Sequence, residues 1–93
     1  MYTLSDYVAM IEEGNNTVIL FNRIVDLIQK DLLYKTTSIN SLINYMENIG
    51  LYVTLHDYTK DNTMQFAFHS CKCLYVEYKP INNEFIKIID VRF

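Results

Sequence analysis

The stretch TVILFNRIVDLIQKDLLY, residues 17–34, sets the organisation of the chain. Its apolar side chains recur every three or four positions and form a wide stripe: Val18, Leu20, Phe21, Ile24, Val25, Leu27, Ile28 and Leu32. Polar side chains fill the other side, although Ile19 and Leu33 stray onto it. This pattern predicts an amphipathic helix about 27 Å long with a broad apolar face. A face this broad needs cover from more than one neighbouring element.

A shorter helix is predicted over residues 3–13, before the central one. Thr3 and Asp6 have the spacing of a capping box, with Asp in place of the usual Glu. Gly14 follows the last turn, where a left-handed residue is common. These two signals indicate both ends of the helix.

A third helix is predicted over residues 39–49. Residues 35–38 break the pattern of the central helix, and Ser38 is a good N-cap. Gly50 follows the helix, as Gly14 follows the first one. Because both glycines of the chain lie just after predicted helices, the two helix ends support each other.

From residue 51 the apolar period changes from about 3.6 to 2, which predicts strands. The apolar positions of the first three strands are Leu51, Val53 and Leu55; Met64, Phe66 and Phe68; and Leu74, Val76 and Tyr78. Residues 85–93 form the last predicted strand. Its alternation slips between Ile88 and Ile89, which predicts a β-bulge or burial on both faces.

The second hairpin carries no strong turn residue, so its register is taken from the apolar pattern. Pairing Phe68 with Leu74 and Phe66 with Val76 keeps the apolar set on one face and leaves a three-residue loop. The predicted fold is a single α+β domain, residues 1–93. Three N-terminal helices pack on one face of a four-stranded antiparallel β-meander.

The charges of the chain are scattered and slightly acidic. Eight Lys and Arg residues against 11 Asp and Glu residues give a net charge of −3, and no basic stripe is visible that would neutralise phosphates. The sequence has no signal peptide and no uninterrupted apolar run of about 18 residues. We therefore expect a cytoplasmic protein that does not bind membranes, and we do not expect direct nucleic-acid binding.

The one cluster with metal-ligand chemistry is His69, Cys71 and Cys73, with His56 nearby. Structural zinc sites favour two cysteines separated by two residues, and one intervening residue is a weaker signal. A small thiol or zinc-dependent regulator is the alternative function that this cluster allows. The plain alternative is two surface histidines and two reduced, partly buried thiols. We predict no catalytic residue, no metal and no cofactor.

Tyrosine is the better indication of function, since the chain has eight and no tryptophan. Tyr52, Tyr58 and Tyr75 fall in the strand phase opposite the helices. His56, His69 and Glu77 share that phase, and so do Gln65 and Ala67. An exposed face of aromatic and polar side chains is typical of a protein-docking surface. The alternative is that antiparallel sheets simply carry Tyr and Thr on the solvent side.

These features predict a non-enzymatic inhibitor or regulator that binds a larger protein or protein complex by steric occlusion. A short chain that leans to Asn, Ile, Tyr and Lys is typical of accessory proteins of phages and mobile elements. An anti-CRISPR-like or other anti-defence inhibitor acting in the host cytoplasm fits this profile. A dimeric nucleic-acid-binding regulator is a further alternative. The last strand, residues 85–93, is a candidate edge for homodimer formation.

Overall fold

The computed structural model describes residues 2–14, 18–54, 62–67 and 73–93. In these residues the helices are α1 (Leu4–Glu12), α2 (Val18–Leu32) and α3 (Ile39–Asn48). The strands are β1 (Thr36–Ser38), β2 (Tyr52–Val53), β3 (Thr63–Ala67), β4 (Cys73–Pro80) and β5 (Phe85–Arg92). The predicted α+β class is confirmed. The described sheet has five strands, one more than predicted.

Side-chain caps start two of the helices at the predicted places. The Thr3 hydroxyl accepts a 3.2 Å hydrogen bond from the Asp6 N–H, and the Asp6 carboxylate accepts one of 2.8 Å from the Thr3 N–H. The hydrogen bonds from Thr3, first that of its backbone N–H, lower the pKa of Asp6. The Ser38 hydroxyl caps α3 by accepting the Ser41 N–H at 3.1 Å.

A left-handed residue follows each of the three described helices. Gly14 and Gly50 have φ of +101° and +97°, as predicted from their positions after α1 and α3. After α2 the left-handed residue is Tyr34, with φ of +62°. A Cβ in this conformation costs roughly 1–2 kcal/mol. The Tyr34 N–H donates a 2.7 Å hydrogen bond to the Ile88 carbonyl, which directs the chain from α2 into β1.

The sheet has the order β1-β5-β4-β3-β2 and is antiparallel throughout. Strands β2 to β5 form the predicted meander. The segment predicted as a break forms β1, in which Thr36 pairs with Lys87. Three residues are too few to show an alternation, so sequence periodicity missed this strand. The expectation of a free edge at the last strand is therefore wrong along the part of β5 that pairs with β1.

The register between β3 and β4 differs from the predicted one by two residues. Phe66 pairs with Leu74, and Met64 pairs with Val76. A shift of two keeps the same side chains on the buried face, so the apolar pattern cannot distinguish these registers. The predicted partner Phe68 lies outside the described residues, as does the predicted loop.

A β-bulge interrupts the pairing of β4 with β5, at the predicted slip. Glu77 pairs with Asp90, whereas the next residue, Tyr78, pairs with Ile88. Ile89 is thus the extra residue in β5. The extra residue switches the sheet face to which each later side chain of the strand points. Ile88 and Val91, which are three residues apart, therefore both point into the core.

Among the residues that the structure describes, the buried side chains form one core between the helices and one face of the sheet. They are Val8, Ile11, Phe21, Ile24, Ile28, Leu42, Met46, Leu51, Met64, Phe66, Leu74, Val76, Tyr78, Ile86, Ile88 and Val91. The rings of Phe21 and Phe93 meet edge to face at 4.6 Å, which joins α2 to the residue after β5. None of the described helices is long and apolar enough to cross a membrane.

Candidate functional site

The sheet face opposite the core carries mixed aromatic, polar and charged side chains. In β3 and β4 every second residue is buried, so the residues between them point away from the helices. We call this surface the outer face. Its described members are Thr36, Ser38, Tyr52, Thr54, Thr63, Gln65, Ala67, Cys73, Tyr75, Glu77, Lys79, Phe85, Lys87, Asp90 and Arg92.

Three of the six side chains predicted to bind a partner lie on this surface. Tyr52 is on β2 and exposes 48% of its area, and Tyr75 and Glu77 are half-buried on β4. The other three predicted residues, His56, Tyr58 and His69, lie outside the described residues. The structure thus places the described part of the predicted set on one face, and its binding role stays a prediction.

An arginine that the sequence did not single out organises the middle of the outer face. The Arg92 Nη1 lies 3.0 Å from the Asp90 Oδ2 and 3.3 Å from the Glu77 Oε1. The guanidinium carbon lies 5.9 Å from the centroid of the Tyr75 ring, which is within the range of a cation–π contact. Each charged side chain is 39–46% exposed, so solvent weakens the ion pairs. Their main effect is to hold the guanidinium beside the ring.

The bulge at Ile89 is what brings Asp90 and Arg92 to the outer face. Without the extra residue, strict alternation from the buried Ile88 would turn both charged side chains toward the core. With it, Asp90 lies opposite Glu77 and Arg92 lies opposite Tyr75. Bulges recur next to functional sites because they re-aim side chains in this way.

Hydrogen bonds continue this arrangement toward the β2 side of the sheet. Gln65 pairs with Tyr75, and its backbone carbonyl accepts the Thr54 N–H at 2.9 Å and the Thr54 hydroxyl at 3.2 Å. Arg92, Tyr75, Gln65 and Thr54 thus form one row across four adjacent segments. Neighbouring strands lie about 4.8 Å apart, so the row, which crosses three such spacings, is about 14 Å long.

The described residues offer no metal site. Within the described ranges no three His, Cys, Asp or Glu side chains are grouped as a metal ion would require. Cys73 is a free, half-buried thiol on the outer face. His56, His69 and Cys71 lie outside the described residues, so the zinc or thiol alternative stays a prediction.

A groove of about 570 Å³ lies between the start of α3 and the turn that joins β4 to β5. Its lining combines amide side chains, apolar side chains and one carboxylate: Ser38, Ile39, Asn40, Tyr78, Pro80, Asn82, Asn83, Glu84, Phe85 and Ile86. The Asn82 side-chain oxygen accepts the N–H groups of Glu84 and Phe85, so this part of the lining serves the turn itself. A single carboxylate without a basic neighbour gives the groove no acid–base pair.

What the outer face offers is contact area, hydrogen-bonding groups and charge on a firmly packed sheet. No protein-family model matches the chain, and comparisons with curated proteins and with solved structures gave no match. We therefore infer function from the chemistry of this surface.

Proposed function

We propose that the protein is a non-enzymatic inhibitor or regulator that binds a larger protein or protein complex through the outer face. It acts by occupying a site on that partner. The observation that supports this proposal is the guanidinium of Arg92 beside the Tyr75 ring, with Gln65 next in the row. Tyrosine and arginine are enriched in interfaces and among the residues whose loss weakens binding most.

The packing beneath the outer face favours binding at low entropic cost. Met64, Phe66, Leu74 and Val76 are fully buried on the opposite side of the same strands. Packing on the core face of the sheet therefore fixes the position of the β4 backbone at Tyr75. Arg92 is held by two carboxylates, so little side-chain freedom remains to be lost on association.

An anti-CRISPR-like or other anti-defence inhibitor, encoded by a phage or mobile element and acting in the host cytoplasm, is the specific form of this proposal. Its support is the composition and small size of the chain. The outer face supports the broader statement that the protein binds another protein.

Affinity purification of the tagged protein from lysate, with mass spectrometry of what co-purifies, tests the proposal. We expect one dominant protein or complex in near-stoichiometric yield with the wild type. The double variant Tyr52→Ala/Tyr75→Ala should retain less than about a tenth of it, since losing interface hot spots costs 2 kcal/mol or more. Thermal melts of each variant establish that the fold is intact.

The matched control is Asn22→Ala/Asp26→Ala, which changes two exposed side chains on α2, away from the sheet. This variant should retain the partner fully. The proposal fails if no partner co-purifies, or if the partner stays bound to a folded Tyr52→Ala/Tyr75→Ala variant.

A further inference from the structure

Two lysines lie directly opposite each other on the outer face. Lys79 on β4 pairs with Lys87 on β5, and Thr36 on β1 lies on the other side of Lys87. All three residues are exposed. Directly opposite side chains have Cβ atoms about 4.5–5.5 Å apart, and like charges in this arrangement repel each other.

The acidic side chains nearest in the sheet do not neutralise this pair. Glu77 and Asp90 occupy the adjacent row, about 7 Å along the strands, and both are bound to Arg92. No ion pair to Lys79 or Lys87 is present in the described part of the chain. The sheet therefore carries two exposed lysines without an ion pair among the described residues, and an exposed threonine in the register position next to Lys87.

We infer that Lys79, Lys87 and Thr36 form a docking point for carboxylate side chains of the partner protein. This inference rests on the proposed function. It adds that the partner's surface is acidic where it contacts Lys79 and Lys87. Lysine side chains on directly opposite residues can reach one or two carboxylates together, and the Thr36 hydroxyl can donate to the same oxygens. The two lysine charges repel each other in the free protein. A bound carboxylate between them offsets this repulsion, which favours the bound state.

The alternation of charge along the sheet favours a protein over a nucleic acid. One row beyond the lysines, Glu77 and Asp90 place two carboxylates around one guanidinium, which leaves that row negative. A nucleic-acid strand carries charge of one sign along its whole length and would be repelled by this row. A protein surface can match both rows, with acidic side chains over the lysines and hydrogen-bond donors over the carboxylates.

A titration with a defined peptide tests the lysine pair independently of any partner. The probe is a peptide of ten glutamates, followed by ¹⁵N NMR of the full chain at low and at high salt. We expect the signals of Thr36, Lys79 and Lys87 to shift most. The Kd should rise at least tenfold in about 0.3 M salt, because these contacts are exposed and screened. Lys79→Gln/Lys87→Gln should weaken binding at least fivefold.

The matched control is Lys30→Gln, a single exposed lysine on α2. The inference is wrong if this variant weakens binding as much as the double variant does. It is also wrong if an oligothymidylate with ten phosphodiester groups, and therefore the same charge, binds more tightly than the peptide, which would indicate phosphate recognition.

The captured partner provides the second test. Lys79→Glu/Lys87→Glu should slow its association about tenfold at low salt, as loss of electrostatic steering does. A partner that needs Tyr52 and Tyr75 but associates normally with this variant overturns the lysine inference and leaves the proposed function standing. Failure to capture any partner overturns the proposed function, whatever the peptide titration gives.

Discussion

The side-chain amide of Gln29 on α2 donates a 2.9 Å hydrogen bond to the backbone carbonyl of Val91 on β5. Pairing between β5 and the β1 side of the sheet ends at Ile88. Beyond that residue no described strand pairs with the β1 side of β5, and the Gln29 side chain occupies the Val91 carbonyl instead. Open edges are templates for pairing with other chains, and a side chain from a helix is one way of covering them.

Gln29→Ala should lower the free energy of unfolding by about 1–2 kcal/mol, because the Val91 carbonyl loses its partner in a partly buried position. The same variant should self-associate more than the wild type, through the uncovered part of β5. Urea unfolding and sedimentation velocity measure the two effects. Asn22→Ala, exposed on the same helix, should change neither. A Gln29→Ala variant with wild-type stability would contradict the role assigned to this bond.

Tyr45 on α3 donates a 2.5 Å hydrogen bond to the Asp31 carboxylate on α2. Tyr45→Phe should lower the free energy of unfolding by about 1 kcal/mol at pH 7, the usual net contribution of such a bond. Asp31→Ala, which removes the acceptor, should cost a similar amount. The double variant should cost less than the sum of the two, because both single changes remove the same bond.

The same hydrogen bond should give the stability a dependence on alkaline pH. Burial, followed by the bond to Asp31, raises the pKa of Tyr45 above its ordinary value of about 10. A raised pKa means that the folded state favours the neutral phenol, so the stabilisation is complete below pH 10 and is lost as pH rises above it. Urea unfolding from pH 7 to 11 should show wild type losing stability faster than Tyr45→Phe. Parallel curves would refute this assignment.

The two glycines provide a matched pair of substitutions. Both have a left-handed φ, so alanine at either place costs about 1 kcal/mol or more in backbone strain. At Gly14 an added Cβ meets no atom within 4 Å, whereas at Gly50 it lies 3.2 Å from the Cγ1 of the buried Val8. Gly50→Ala should therefore destabilise more than Gly14→Ala. Chemical denaturation measures both, and equal costs would show that Val8 moves aside freely.

Tyr34 also has a left-handed φ but carries a Cβ, so replacing it with glycine should stabilise the protein. Its side chain is 67% exposed, so its removal loses little packing. Tyr34→Gly should raise the free energy of unfolding by about 0.5–1 kcal/mol, because glycine adopts the left-handed conformation without steric cost. Tyr34→Ala keeps the Cβ and should give no such gain. If both variants behave alike in thermal melts, the backbone at this position is not strained.

The helices could be predicted because each carries several turns of apolar periodicity, and α1 and α3 also have recognisable ends. Thr3, Ser38, Gly14 and Gly50 all act as the sequence indicates. β1 could not be predicted, since three residues show no period and its hydrogen bonds come from β5. The register of β3 against β4 was likewise undetermined, because a shift of two residues buries the same side chains.

Strand alternation predicted some residues of the outer face and missed others. Alternation alone places Tyr52, Tyr75 and Glu77 opposite the core. Arg92 was missed because the sheet face to which it points depends on which residue of β5 is the extra one. Strand alternation does not show whether that residue is Ile88 or Ile89. Its bonds to the two carboxylates follow only once the bulge is located at Ile89.

The pairing of β1 with β5 also bears on how the chain folds during synthesis. Thr36 finds its partner Lys87 roughly 50 residues later in the chain. At about 5–20 residues per second, the ribosome takes several seconds to make that stretch. Until β5 emerges, α2 and α3 are joined by a segment without its strand partner, and their shared apolar surface lacks most of the sheet. The nascent protein is therefore exposed to chaperones and proteases until β5 has left the ribosome.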